Sequence, residues 1–171
     1  MAKIIPNEEC WIGFIPTAGL SGVTAGNPNT LTPSAAEIDA AVDLTRFTVS
    51  INLTASGNTI PTPSLDSLFE TTIGGTSQAQ GTGDFYRDDA ADTAWTTLVR
   101  GVRGYMVVGR FGLTGTTAAG KPKPIATNIV EVWPVAVTSR AASGMTSNTT
   151  QTCTVTFAII DEPNEGVAVT A

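Results

Sequence analysis

The stretch RFTVSINLT, residues 46–54, alternates between apolar and polar side chains: Phe47, Val49, Ile51 and Leu53 fall on one side, Arg46, Thr48, Ser50 and Asn52 on the other. A helix would scatter these residues around its axis. Only an extended strand, whose side chains repeat every second residue, sorts them onto two faces. The chain is thus committed here to a half-buried strand, expected to close at the turn cluster Ser56-Gly57-Asn58. The same pattern returns in TCTVTFAI, where Cys153, Val155, Phe157 and Ile159 oppose Thr152, Thr154 and Thr156. A third strand, NIVEVWPVAVTS, carries Ile129, Trp133, Val135 and Val137, and its Pro134, lacking an amide donor, predicts an edge or a bulge. GYMVVGRFG and CWIGFIP are shorter apolar strands, and SLFETTIGG and TSQAQGTGDFYR read as two strands joined by a glycine turn.

Helical signals are few. PSAAEIDAAV begins with a capping box, Ser34 with Glu37, and carries Ile38 and Val42 four residues apart. In DFYRDDAADTAWTTLVRG, Asp88, Asp89 and Asp92 have D-D-x-x-D spacing, which holds divalent metals in some enzymes. Such a site needs a deep cavity and a second acidic cluster facing it, and the next acidic cluster is DEPNE near the C-terminus. Ala91, Trp95, Leu98 and Val99 instead form one apolar stripe and Gly101 stands at a C-cap position, so the three aspartates read as the start of a helix. Carboxylates there oppose the positive end of the helix dipole, each by about 0.3–1 kcal/mol. Arg100 and Arg103, flanking Gly101, complement the other end of that dipole or meet an acidic edge of a neighbouring subunit.

A chain of 171 residues buries about 70% of its unfolded surface and needs neither metal nor disulfide to hold a core. Charged residues are only 14%, against about 25% in average soluble domains. A surface this poor in charge suits a chain that covers much of its outside with other subunits. The net charge of −6 argues against a grip on nucleic acid, which needs clustered Lys and Arg. With no histidine, the commonest general base and metal ligand are missing. Cys10 and Cys153 read as free thiols, and MAKIIPNEEC has no apolar stretch of signal-peptide length, so synthesis in the cytosol is expected. GTGDF and GLTGTTAAGKPK lack the spacing of a phosphate cradle. Trp11, Trp95 and Trp133 are expected in the core; the competing reading makes them an exposed sugar-binding platform. Residues 17–33 and 112–128 show no periodicity and are candidate arms that order against a neighbour. The expectation is a mainly β single domain over residues 1–171, a β-sandwich or small barrel flanked by one main α-helix.

The order of segments carries a resemblance. A strand DLTRFTVSINLTASG precedes SLFETTIGGTSQAQGTGDFYRDDAADTAWTTLVRGVRGYMVV, followed by EVWPVAVTS and a terminal TCTVTFAIIDEP. Over residues 44–165 this resembles the tail tube (major tail) proteins of long-tailed, non-contractile bacteriophages. The resemblance implies a structural virion protein without enzymatic activity or cofactor. Six copies would close into a ring, with rings stacked into a tube and inner sheets joined around a lumen. It further implies assembly in the host cytoplasm, a tape measure protein in the lumen, tail terminator and tail tip proteins at the ends, and double-stranded DNA passing without sequence-specific binding or any membrane partner. The lumen-facing candidates are Thr48, Ser50, Asn52, Glu70 and Thr72, the polar positions of two strands whose apolar faces should meet the core. The alternatives are the inner tube of a contractile tail or injection machine and, from a different class, a glycan-binding β-sandwich module.

Overall fold

The structure is a computed structural model that describes residues 10–16, 31–62, 71–88, 91–144 and 149–171, with side chains described for all of these except 58–62 and 71–78. Among the described residues the elements run β1 (Trp11–Pro16), α1 (Ala35–Ala40), β2 (Val42–Asp43), a 3-10 turn (Thr45–Phe47), β3 (Thr48–Thr62), β4 (Thr71–Tyr86), α2 (Thr93–Thr97), β5 (Arg103–Gly109), β6 (Gly115–Thr116), β7 (Pro122–Lys123), β8 (Ile129–Ala142), β9 (Thr152–Ile159) and β10 (Asn164–Ala168). The chain is mainly β, as the alternating segments require.

One antiparallel sheet runs in the order β2-β1-β5-β8-β9-β4-β3, with β10 also paired to β8. Its pivot is β8. The first half of β8 pairs with β10 up to the Val132–Asn164 pair, and its second half pairs with β9 from the Val135–Ile159 pair onward. The sheet therefore divides into two halves that share β8. Their facing sides make one core: Phe14, Met106 and Trp133 from one half pack with Phe85, Val155 and Phe157 from the other. The sandwich layers expected from the sequence arise in this way from a single sheet.

Pro134 stands where the partner of β8 changes. Its carbonyl accepts the amide of Ile160 at 3.0 Å, in the turn between β9 and β10. The N–H and C=O of an extended residue point to the same side, so the proline keeps the bond from Ile160 and gives up the return bond that a residue with an N–H would make in the same pair. The proline marks a fork inside the sheet, rather than the predicted edge or bulge.

A second cluster covers the outer side of the first half. Trp11, Ile15, Val107, Val130 and Val132 pack there under Ile38 of α1. The capping box is present: Glu37 N–H donates to Ser34 Oγ at 3.3 Å, and Ser34 N–H donates to Glu37 Oε2 at 2.7 Å. The C-terminal segment fastens this layer, with Ala35 N–H donating to Thr170 O at 2.9 Å.

Two sequence expectations change. β3 does not turn at Ser56-Gly57-Asn58 but continues to Thr62 across an irregularity between Gly57 and Thr59. β4 is one strand of 16 residues running through Gly74-Gly75, not two strands joined by a turn. In both places a local turn signal gives way to a long ladder of cross-strand hydrogen bonds. Residues 112–128 are ordered within the chain as the β6–β7 hairpin, while residues 17–30 of the other loop lie outside the described residues.

The organiser of that hairpin is Asn128, which is 7% exposed. Its Oδ1 accepts the amides of Ile125 at 3.0 Å and Thr114 at 3.2 Å, and its Nδ2 donates to Gly112 O at 3.2 Å. No other side chain of similar size offers both an acceptor and a donor pair at one point. Replacing it with alanine leaves three part-buried backbone groups, the Ile125 and Thr114 amides and the Gly112 carbonyl, without this partner, at a cost of up to about 1–3 kcal/mol each. Asn128→Ala should therefore lower unfolding stability by about 2–4 kcal/mol in equilibrium urea denaturation; a loss below about 0.5 kcal/mol contradicts this role.

Candidate functional site

The second half-sheet is buried on one face and open on the other. Ser50, Asp84 and Thr154 stand opposite one another across β3, β4 and β9; Asn52, Thr82 and Thr156 form the next row, and Thr54, Gln80 and Ala158 the one after. These side chains are exposed or half-buried, and all but Ala158 are polar. The glycines of GTGDF explain how the other face packs so tightly. A Cβ on Gly81 would lie 2.4 Å from Leu53, and one on Gly83 would lie 2.8 Å from Phe85 and 3.4 Å from Phe157. The motif makes room for core side chains.

Asp84 is the one carboxylate in these three rows. Thr154 Oγ1 donates to its Oδ1 at 2.6 Å and Ser50 Oγ donates to its Oδ2 at 2.9 Å. These two hydroxyls, Thr154 first, hold the carboxyl below the usual aspartate range. The face therefore presents hydroxyls, amides and an ionised carboxylate, and no Lys or Arg in these rows.

Of the lumen candidates, Ser50 and Asn52 lie on this face. Thr48 does not join them. A register shift between Thr48 and Ser50 pairs Thr48 with buried Phe85, and the Thr48 hydroxyl donates to Leu44 O at 2.8 Å at the end of the 3-10 turn. The same bulge leaves Val49 48% exposed, against the strict alternation expected there. Glu70 lies outside the described residues, and Thr72 is placed in β4 by its backbone alone.

The edges of this half-sheet are open among the described residues. β3 pairs with β4 only. On its other margin, β5 leaves β8 at Ala136, and the loop before β5 adds bonds only at Val137; from Ser139 to Ala142, β8 pairs with β9 alone.

The aspartate segment is also rearranged. α2 has 5 residues, Thr93–Thr97, shorter than the predicted stripe, and Val99 is 38% exposed. Asp92 occupies the N-cap position with φ 44° but makes no capping bond through its side chain. Its carboxylate instead takes Arg87, whose Nε donates at 2.9 Å. Asp88 precedes the helix, whose first turn holds no acidic residue, and Asp89 lies outside the described residues. Sequence reasoning missed the arginines here: the guanidinium carbons of Arg87 and Arg140 lie 4.3 and 4.1 Å from the Trp95 ring centroid, and Arg140 also donates to Trp95 O at 2.7 Å. α2 is held by this cation–π stack together with Ala94 and Leu98 in the core. Arg100 and Arg103 are exposed around Gly101, whose φ of 88° makes the turn into β5. Trp11 and Trp133 are buried, so neither offers a sugar platform; Cys10 and Cys153 are free thiols.

The Asp84 geometry has a pH consequence. Its folded pKa lies below the roughly 3.9 of an unfolded aspartate, so its stabilisation is complete above about pH 4 and is lost as pH falls through the folded value. Carbon-13 titration should place the Asp84 midpoint below about 3.9, and the Ser50→Ala/Thr154→Ala pair should raise it. A midpoint at or above that value in the wild type contradicts the geometry.

Comparison with known proteins agrees with this architecture. The sequence profile of the family described as phage tail tube protein matches residues 20–171. No curated protein matches in sequence. In fold, the chain is similar to a protein in the C6-symmetric tail of an empty gene transfer agent particle, with TM-score 0.57, 15% identity, and coverage of 96% of this chain and 98% of that one. It is similar to a chain of the virion of a native gene transfer agent particle, with TM-score 0.52 and 15% identity over 75% of this chain and 90% of that one. A chain of the sixfold-symmetrised anti-feeding prophage baseplate gives TM-score 0.52 at 6% identity, over 99% of this chain and 98% of that one. The match over residues 20–171 covers well over half of the sequence, and the chain belongs to the phage tail tube protein family.

Proposed function

We propose that six copies of this tail tube protein close into a ring, that rings stack into a tube, and that the β3-β4-β9 face lines a lumen through which double-stranded DNA passes. The observation that carries the reading is the half-sheet itself: among the described residues, one polar face is left open and two edges are unpaired. An exposed strand edge is a hazard for a free monomer. Here β3 is open along one margin and β8 from Ser139 to Ala142 along the other, so pairing the β3 edge of one copy with the β8 edge of the next satisfies both. Such a contact is head-to-tail and closes only as a ring. The symmetric assemblies that contain the structural neighbours support six as the number of copies.

The chemistry of the face suits a conduit. A wall of hydroxyls and amides with a carboxylate repels or ignores phosphate, where a basic wall would trap it by releasing counterions. Ser50 and Asn52 are then lumen residues, joined by Thr82, Asp84 and Thr154; Glu70 and Thr72 are carried as candidates from the sequence. Residues 1–171 act as one tube unit, the segments at 17–33 and 112–128 serve as inter-subunit arms, and Arg100 and Arg103 lie at subunit contacts. The tape measure, tail terminator and tail tip proteins are the other partners, the role is structural rather than enzymatic, and assembly takes place in the host cytoplasm into the virion tail.

Negative-stain electron microscopy of the purified chain, dilute and concentrated, tests this. Sixfold rings and tubes with an open lumen are expected as concentration rises. A monodisperse monomer at high concentration, in the presence of preformed tube ends, contradicts it.

A further inference from the structure

The two margins of the second half-sheet differ in what lies beneath them. Under the β8 margin sits α2. Arg140 of β8 donates to Trp95 O at 2.7 Å and stacks on the Trp95 ring, where Arg87 stacks as well. Strand edge and helix are thereby held as one body. Thr96 and Val99 of this segment are exposed.

Under the β3 margin the same layer is an open groove among the described residues. It measures about 470 Å³ and is walled by Ile12, Val49, Ile51, Val108 and Phe111. Val49, which the bulge leaves out of the ladder, is 48% exposed and Phe111 is 56% exposed. Apolar side chains clustered in this way are costly in water and mark a surface to be covered.

The rows of the sheet bring helix and groove to one level. Ala142, Cys153, Phe85 and Thr48 stand in one row across β8, β9, β4 and β3; Arg140, Val155, Gly83 and Ile51 stand in another. Directions alternate along these four strands, so β8 of a second copy laid antiparallel on β3 keeps the alternation unbroken. α2 is fixed at the Arg140 row and the groove lies at the Ile51 row. With those rows in line, α2 of one copy comes over the groove of the next. We propose that residues 93–99 of each copy seat in this groove of its neighbour, an apolar layer behind the strand-to-strand contact. This rests on the ring reading and names the side chains that keep water from its edge pairing.

The test uses the full chain. Val49→Asp and Val99→Asp change exposed positions, so the melting temperature should stay at the wild-type value. In analytical ultracentrifugation the concentration at which half the chain is in rings should rise about tenfold or more. Ile160→Asp, comparably exposed but in the turn between β9 and β10, should leave it unchanged. In a Cys10→Ser background, Val49→Cys is combined with Thr96→Cys or with Val99→Cys, and assembled rings are treated with a short bismaleimide. At least one pair should give a covalent ladder reaching six copies, which the single-cysteine chains should not. Unshifted assembly in both aspartate variants, an equal shift in Ile160→Asp, or no ladder from either pair while rings form overturns this contact and leaves the ring reading standing. Absence of rings in the wild type overturns the ring reading, and this inference with it.

Discussion

Everything in this fold hangs on one strand serving two partners. β8 holds β10 along its first half and β9 along its second, and the exchange occurs at Pro134, the only residue of the strand with no amide to leave unpaired. Because of that fork a single sheet becomes two layers. Trp133, Val135 and Val137 face the space between them, while Val130 and Val132 meet the layer under α1. At this step the pairing with Ile160 runs through one hydrogen bond, from the Ile160 amide to the Pro134 carbonyl, where an ordinary residue would make two.

The fork also decides what is left outside. The first half-sheet is covered by α1 and the C-terminal segment, whereas the second carries no layer on its polar face among the described residues. With no Cβ at Gly81 and Gly83, its inner face packs close, and the outer face keeps Ser50, Asn52, Thr82 and Asp84. A tube wall has the same requirements: one dry side for stability, one wet side for passage, and edges that a neighbour completes. The low charge of 14% fits that demand, since surface that becomes interface gains little from solvated ions.

Much of this was legible in the sequence because strands sort their residues by parity. Cys153, Val155 and Phe157 are buried as their alternation requires, and the Ser34–Glu37 box caps α1 as its spacing requires. Where the reading failed, a non-local partner outweighed a local signal. Gly57 and Gly74 resemble turn residues, but each sits in a long ladder. The bulge at Val49 turned Thr48 away from the Ser50 face, and no periodicity count registers a single extra residue. Asp92 occupies the N-cap position without a capping bond, and Arg87 takes its carboxylate, a pairing five residues apart that a capping pattern does not encode. The segment 112–128 looked structureless because its organiser, Asn128, lies at the far end of the loop it holds.

A cryo-electron microscopy reconstruction of the assembled tube, at a resolution that separates side chains, addresses the central proposal most directly. The predicted map has Ser50, Asn52, Thr82 and Asp84 facing the lumen, with the β3 edge of each subunit hydrogen-bonded to the β8 edge of the next. A map in which α1 faces the lumen, or in which β3 meets solvent along its open margin, contradicts it.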